Sequence, residues 1–390
     1  MNSTRTTRRD FLGKSIVTGV GIAAGLRAAT FGGVAKAAPY DSTTITATVG
    51  ITKGADRADN AFRAMQLFKN QIAAAIGNRR VVIKPNFVWY TNAYACTRVE
   101  HVDGILEFLK SIGKRDVVIA ESSAQGPIAN GYDAYGYWGL TKKYPVKLMD
   151  LNQEGFANAD IWQYGAVSNS TKKTIRVSKL YFNQNNFIIS ATPMKTHNTV
   201  VVTLASKNIA MSAPVIDIGS SQGQGGAIGS NKSNMHGAGG SGGSDYQCLN
   251  DNVFRLMCVY GIRPHLAVID GYQGMEGDGP VSGSGISNPQ QLAVASLDWL
   301  AADRVALELM GSNNYVVLNH TQDGYNMPFP ACLNYLWQVG LGEWDLRKIQ
   351  VIGEQIAPNV VNYAASPSKS NQISGIRTTP REGTIVNPIT

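Results

Sequence analysis

The sequence is poor in the side chains that hold metals. It has 4 cysteines and 5 histidines in 390 residues. The cysteines, Cys96, Cys248, Cys258 and Cys332, form no C-x-x-C pair. Zinc ribbons and ferredoxin-type clusters are therefore unsupported, because both need closely spaced thiolates. Cys248 and Cys258 fall in one predicted helix, about 15 Å apart at a helical rise, which is too far for a disulfide. Buried free thiols are the expectation. The chain also lacks a long apolar run. Its one apolar stretch near the start, Ser15 to Leu26, is Gly-rich and shorter than the about 20 residues a membrane span needs, so no stable membrane insertion is expected. There is no long basic run beyond the first residues, no nucleotide-binding fingerprint and no internal repeat.

What is present begins at the N-terminus. Thr7-Arg8-Arg9-Asp10-Phe11-Leu12 reads as a twin-arginine export signal. The apolar stretch follows, and Ala35-Lys36-Ala37 offers a small-residue cleavage site. Residues 1–37 are read as a removable signal peptide. The twin-arginine translocation machinery is the implied partner, and the expected location is periplasmic or secreted. That route carries folded proteins, and cofactor-loaded enzymes are common cargo. The signal holds Arg5, Arg8, Arg9, Lys14, Arg27 and Lys36 against Asp10, five of the net +8 charges. The mature chain is left near +3, so nucleic-acid binding is not expected.

The remaining chain alternates short apolar runs with helical spacing. Strands are expected at Val81–Lys84, Asp116–Ala120, Val146–Leu151, Phe187–Ser190, His265–Ile269, Gln291–Ala295 and Leu346–Ile352. Helices are expected at Val99–Ile112, Leu249–Tyr260 and Asp298–Met310. This alternation predicts an α/β fold, a mostly parallel sheet with flanking helices, over residues 38–361. Gly219 to Gly243 contains ten glycines in 25 residues. It is read as a loop insertion with no packed element, either a lid, for which His236 is a candidate residue, or a surface insertion. Residues 362–390 are polar and read as an extended C-terminal arm.

Several strands end on charged or polar residues: Lys84-Pro85-Asn86, Glu121-Ser122-Ser123, Lys195-Thr196-His197, Asp270-Gly271 and Asp298. Open α/β sheets bind ligands beyond the carboxyl ends of their strands, so these termini are expected to meet. Lys195 and His197 share a face when extended, and Lys207-Asn208 follows. Lysines with a histidine suit a carboxylate or phosphate, and histidine moves protons near neutral pH. Asp270, Glu276 and Asp278 lie in a glycine-interrupted acidic segment and are candidate ligands of a divalent cation. The other reading is an acidic turn whose side chains cap backbone amides. His101, His265 and His320 are expected to be structural or exposed.

With these residues in hand, the chain resembles the family called domain of unknown function 362. The matching pieces are Ile83-Lys84-Pro85-Asn86, Pro193-Met194-Lys195-Thr196-His197, Ser206-Lys207-Asn208, Asp270-Gly271 with Glu276-Gly277-Asp278-Gly279-Pro280, and Asp298 to Asp303. They run in the family's order from about residue 80 to 312. Many members carry an added cysteine-rich, ferredoxin-like segment; this chain has none, so the resemblance implies no iron–sulfur cluster here. The resemblance supports a site map more than a reaction. The expectation is an acid–base enzyme for a small anionic ligand. Lys84, Lys195 and Lys207 would hold its oxygens, with Asn86 and Asn208 beside them. His197 would move the proton, and Asp303 would orient a lysine. A redox or metallocofactor protein and a non-catalytic solute-binding protein remain the alternatives.

Overall fold

The computed structural model describes residues 44–164, 170–216, 231–237, 246–311, 317–318, 327–328 and 331–366. The signal peptide, His320, most of the Gly-rich stretch and the arm beyond residue 366 lie outside these residues.

The apolar run Val81-Val82-Ile83 forms the middle of β2 (Arg80–Lys84). Before it come β1 (Ala47–Lys53), α1 (Arg57–Gln66) and α2 (Lys69–Ile76). Asp56 starts α1 by accepting from the backbone N–H of Ala58 and Asp59 at 2.8 and 3.0 Å, as a helix cap should. Next are α3 (Val99–Ser111), β3 (Val117–Glu121), α4 (Ile128–Ala134), α5 (Trp138–Lys143) and β4 (Val146–Asp150). A hairpin follows, β5 (Phe156–Tyr164) against β6 (Ser170–Ser178). β7 (Asn186–His197) turns back as β8 (Val201–Thr203) and runs into α6 (Ala205–Ala210). Then come α7 (Asn231–Asn234), α8 (Tyr246–Cys258), β9 (Leu266–Glu276), β10 (Ser284–Gly285), β11 (Leu292–Ser296) and α9 (Trp299–Leu309). The chain closes with a short ribbon of β12 (Val317–Leu318) and β13 (Met327–Pro328), then α10 (Ala331–Gln338) and β14 (Ile349–Gly353).

One mixed sheet runs in the order β14-β1-β11-β9-β7-β2-β3-β4, with β8 on β7 and β10 on β9. Its strands are mostly parallel; β11 runs antiparallel to both neighbours, β1 and β9. Side chains alternate across the sheet. Val82, Val118, Ile188 and Ile269 join one core with residues of α6, α8, α9 and α10. Val81, Ile83, Ile119, Ile189 and Val268 join a second core with α1, α2 and α3. The fold is therefore α/β, with helices on both faces of the sheet.

Three features depart from the sequence expectation. β7 does not stop at Ser190 but continues through His197, so the Pro193–His197 segment is strand and fully buried. Asn231–Asn234 forms a short helix inside the Gly-rich stretch, with Asn231 and Lys232 buried, although that composition was expected to pack nothing. The first residues of the arm also pack: Tyr363 is fully buried and donates to Gln290 Oε1 at 2.7 Å. All four cysteines are free, and Cys248 and Cys258 both lie on α8.

Candidate functional site

β2, β3 and β7 are parallel neighbours, so their carboxyl ends lie side by side. The hairpin from β7 through β8 folds α6 back over those ends. Four chain segments thereby bring lysines to one place: Lys84 from β2, Lys195 from β7, Lys207 from α6 and Lys232 from α7. All four are buried.

Glu121, the last residue of β3, is the carboxylate at the centre. Its Oε2 accepts from Lys84 Nζ at 2.6 Å and from the Phe87 N–H at 2.9 Å. Its Oε1 accepts from the Ser122 N–H at 2.7 Å. Lys84 Nζ also donates to Pro85 O at 2.6 Å and to Asn208 Oδ1 at 2.8 Å. An ammonium has three donors, so Lys84 is saturated by the protein. It holds the site together and has nothing left for ligand oxygens, which corrects its expected role.

Asn208 is saturated in the same way, and Asn86 keeps one N–H beyond its bonds to the described residues. Asn208 Oδ1 accepts from Lys84 and from Asn86 Nδ2, at 2.8 and 2.9 Å. Asn208 Nδ2 donates to Lys84 O and Ser190 Oγ, at 3.0 and 2.9 Å. Asn86 Oδ1 accepts from Lys195 Nζ at 2.8 Å and from the Val88 N–H at 3.2 Å. Both side chains position lysines.

The remaining lysines differ in how many donors they have left. Lys195 Nζ donates to Asn86 Oδ1 and to Ala95 O at 2.6 Å, which leaves one donor. Lys232 Nζ donates to Ser122 Oγ at 2.8 Å and Met211 O at 2.7 Å. Lys207 is 8% exposed, and its ammonium has no hydrogen-bond partner among the described residues. Burial, with the charges of Lys207 and Lys84 nearby, pushes Lys195 down to about 7. Burial beside Lys84 brings Lys207 down to about 7. Lys232 also falls to about 7, through burial and the charges of Lys84 and Lys207, against the pull of Glu121. Desolvation penalises the charged form of each. The thiols of Cys96 and Cys332, which adjoin Lys195 and Lys207, are pushed up to about 12 by burial, so they supply no negative charge near neutral pH.

His197 is buried, and its Nδ1 accepts from the Thr199 N–H at 2.9 Å and the Val200 N–H at 3.3 Å. The neutral ring therefore carries its hydrogen on Nε2. Val201, opposite His197 in the hairpin, has φ +73°, an unusual conformation for a β-branched residue and a local strain beside the site.

Asp303 bonds no lysine directly among the described residues. Its carboxylate caps α6, accepting from the N–H groups of Ala205 and Ser206 at 2.7 and 2.9 Å and from the Ser206 hydroxyl. Burial pushes it up to about 7, against these hydrogen bonds. It fixes the short helix that carries Lys207 and Asn208. His236, the candidate lid residue, is half-buried after α7; burial and then the Lys207 charge push it down to about 4.

The acidic segment is engaged elsewhere. Asp270 accepts from the Tyr272 N–H at 3.0 Å and pairs with Arg57 Nε at 3.4 Å. Glu276 accepts from the Ala364 N–H at 2.7 Å, and Asp278 accepts from the Ser366 hydroxyl. Among the described residues no group of three or more His, Cys, Asp or Glu side chains is placed to hold a metal ion. The expected cation loop is instead an anchor for residues 363–366. Opposite Pro193 stands Asp270, but opposite Lys195 stands Met275, so β9 bulges between them. Gly274 in that bulge lies so close to Tyr363 that a Cβ would sit 1.9 Å from its hydroxyl.

Sequence reasoning gave no role to two residues of this cluster. Glu121 reads in the sequence only as a strand end; its signal is a lone acid closing a run of four apolar residues. Lys232 was hidden in the Gly-rich stretch, where it is the one cationic residue among 25.

The family model described as a domain of unknown function (DUF362) matches residues 81–308. The chain belongs to this family. The matched region carries all four lysines and Glu121. No curated protein matches the chain. Among solved structures, a crystal structure of a protein from Thermotoga maritima is similar at 13% identity, with a TM-score of 0.37, over 66% of this chain. The chain spans 60% of that protein's length.

Proposed function

We propose that this is an exported acid–base enzyme that acts on a small carboxylate or phosphate held at the lysine cluster. The observation that carries the reading is the imbalance of charge and donors. Lys84, Lys195 and Lys207 share one hydrogen-bonded carboxylate among the described residues, that of Glu121, and Lys84 uses it up. Buried charge is costly unless paired, and an anion at Lys195 and Lys207 is the pairing that relieves it. In this reading the open donor of Lys195 and the three of Lys207 receive the ligand oxygens. A group that titrates near the working pH both takes and returns a proton readily, and Lys195 at about 7 meets that condition. His197, two residues along the same strand face, serves as the second proton carrier. Export by the twin-arginine route belongs to the same proposal and rests on Arg8 and Arg9 with the stretch that follows them.

Calorimetry with inorganic phosphate and with a small dicarboxylate tests the binding. An anion favours the charged lysines, so one-site binding with proton uptake is expected at pH 7 to 8, visible as heat that depends on the buffer's ionisation enthalpy. Lys195→Met should abolish it. If neither anion binds the folded protein at millimolar concentration, the reading fails.

A further inference from the structure

The Lys207 ammonium, which has no hydrogen-bond partner among the described residues, asks for an explanation that anion binding alone does not give. Lys84, Lys195 and Lys232 are all tied to backbone or side-chain oxygens. Lys207, 8% exposed, has no hydrogen-bond partner among the described residues. Its stem is nonetheless held in place. Asp303 fixes the start of α6 through two backbone N–H groups and the Ser206 hydroxyl, and the next residue, Asn208, is bound to β2 and β7. The titratable groups whose charges act on Lys207, or feel its charge, include Lys84, Lys195, Lys232, His236 and the Cys332 thiol. The three lysines cannot accept a hydrogen bond from a charged Lys207 while protonated, and His236 is neutral near pH 7. A fixed, largely buried amine beside other cationic groups is an arrangement that activates lysine as a nucleophile.

We propose that Lys207 forms a Schiff base with the carbonyl carbon of a small oxo acid whose anionic end lies against the open donor of Lys195. This names the substrate class within the function proposed above and rests on that reading. In the step, the Lys207 nitrogen lone pair attacks the carbonyl carbon and a C–N bond forms. The carbonyl oxygen takes a proton from the Lys195 ammonium. It then leaves as water, taking a second proton from the Lys207 nitrogen, as the C=N bond forms. Lys195 recovers one proton from the Lys207 nitrogen, so amine and oxo acid become imine and water, with no oxidant or reductant needed. The imine nitrogen replaces an unsatisfied ammonium in the same volume. At pH 7 about half of an amine with a pKa near 7 is neutral, roughly a thousand times the neutral fraction of an ordinary lysine.

The test is reductive trapping on the mature protein. It is incubated near pH 7 with glyoxylate or pyruvate and cyanoborohydride, which fixes an imine as a secondary amine, and the adduct is mapped by peptide mass spectrometry. The expected result is one adduct, on Lys207, formed at least about tenfold faster than on surface lysines. It should be slowed by inorganic phosphate and missing in Lys207→Arg. Lysines modified evenly, with Lys207 spared, overturn the proposal. That readout is taken on the wild-type chain and needs no variant to fold. Phosphate binding by calorimetry separates the two claims. Phosphate bound but Lys207 unlabelled refutes the imine and leaves the anion site. Neither bound nor labelled refutes both.

Discussion

Replacing Lys207 by methionine should stabilise the protein at neutral and acidic pH. The two side chains have similar length, and Lys207 makes no hydrogen bond among the described residues that the change would break. What is removed is a buried charge. Its pKa falls from 10.5 to about 7 in the folded chain. At about 1.4 kcal/mol for each factor of ten, the charged form costs the native state about 4–5 kcal/mol. The sign follows from proton counting. Between about pH 7 and 10.5 the unfolded chain binds more protons than the folded one, so stability rises with pH across that window. Below about 7 both states are protonated and the cost is present in full. Lys207→Met should therefore raise the unfolding free energy by up to about 4 kcal/mol near pH 6. The gain should shrink towards zero by pH 10. Urea unfolding of wild type and variant at several pH values, without added anions, measures this directly. Lys195→Met serves as the contrast, because it takes a donor from Asn86 Oδ1 and from Ala95 O and should gain less or lose. A Lys207→Met protein less stable than wild type near pH 6 would refute the claim that this ammonium is buried without compensation.

Other outcomes follow from the same contacts. Glu121→Gln removes the carboxylate that Lys84 pairs with and should cost about 3–5 kcal/mol by thermal or chemical unfolding, because it strands a buried charge. Asp303→Ala leaves the Ala205 and Ser206 N–H groups unpaired and should cost about 2 kcal/mol. It should also weaken phosphate binding, although Asp303 is not placed to touch the ligand. Tyr363→Ala empties a buried site between β9 and α9 and should cost about 3–5 kcal/mol. Tyr363→Phe, which loses only the bond to Gln290, should cost about 1 kcal/mol.

The parallel centre of the sheet was legible because its strands are buried on both faces and read as unbroken apolar runs: Val81–Ile83, Val117–Ala120, Leu266–Ile269. β1 was not, although it is paired on both sides. Thr48, Gly50 and Thr52 interrupt its apolar residues, and only its long-range partners β11 and β14 make it a strand. The β5–β6 hairpin was hidden by its polar alternation, Thr171-Lys172-Lys173-Thr174. In the site, the gathering of Lys84, Asn86, Lys195, Lys207 and Asn208 was legible, since strand ends of one parallel sheet must share an edge. Which of them is free to meet a ligand was not. That depends on donor counts set by contacts such as Lys84 to Asn208, 124 residues apart, and sequence spacing carries no trace of them. The acidic segment misled for a related reason. Asp270, Glu276 and Asp278 look like a set in the sequence, but their partners, Arg57, Ala364 and Ser366, come from both ends of the chain.

The position of β1 governs how this molecule can be made. It is the first strand described, yet it pairs only with β11 and β14, whose residues begin at Leu292 and Ile349. A ribosome delivers the chain from its N-terminus. For most of synthesis, therefore, β1 has no neighbour to bond with, and the sheet cannot be completed until nearly the whole polypeptide has emerged. Folding is then a post-translational event with the slow, long-range pairing that such topologies impose. Until Gly353 is out, the amino-terminal segment stays an open strand, available to whatever chaperone meets it.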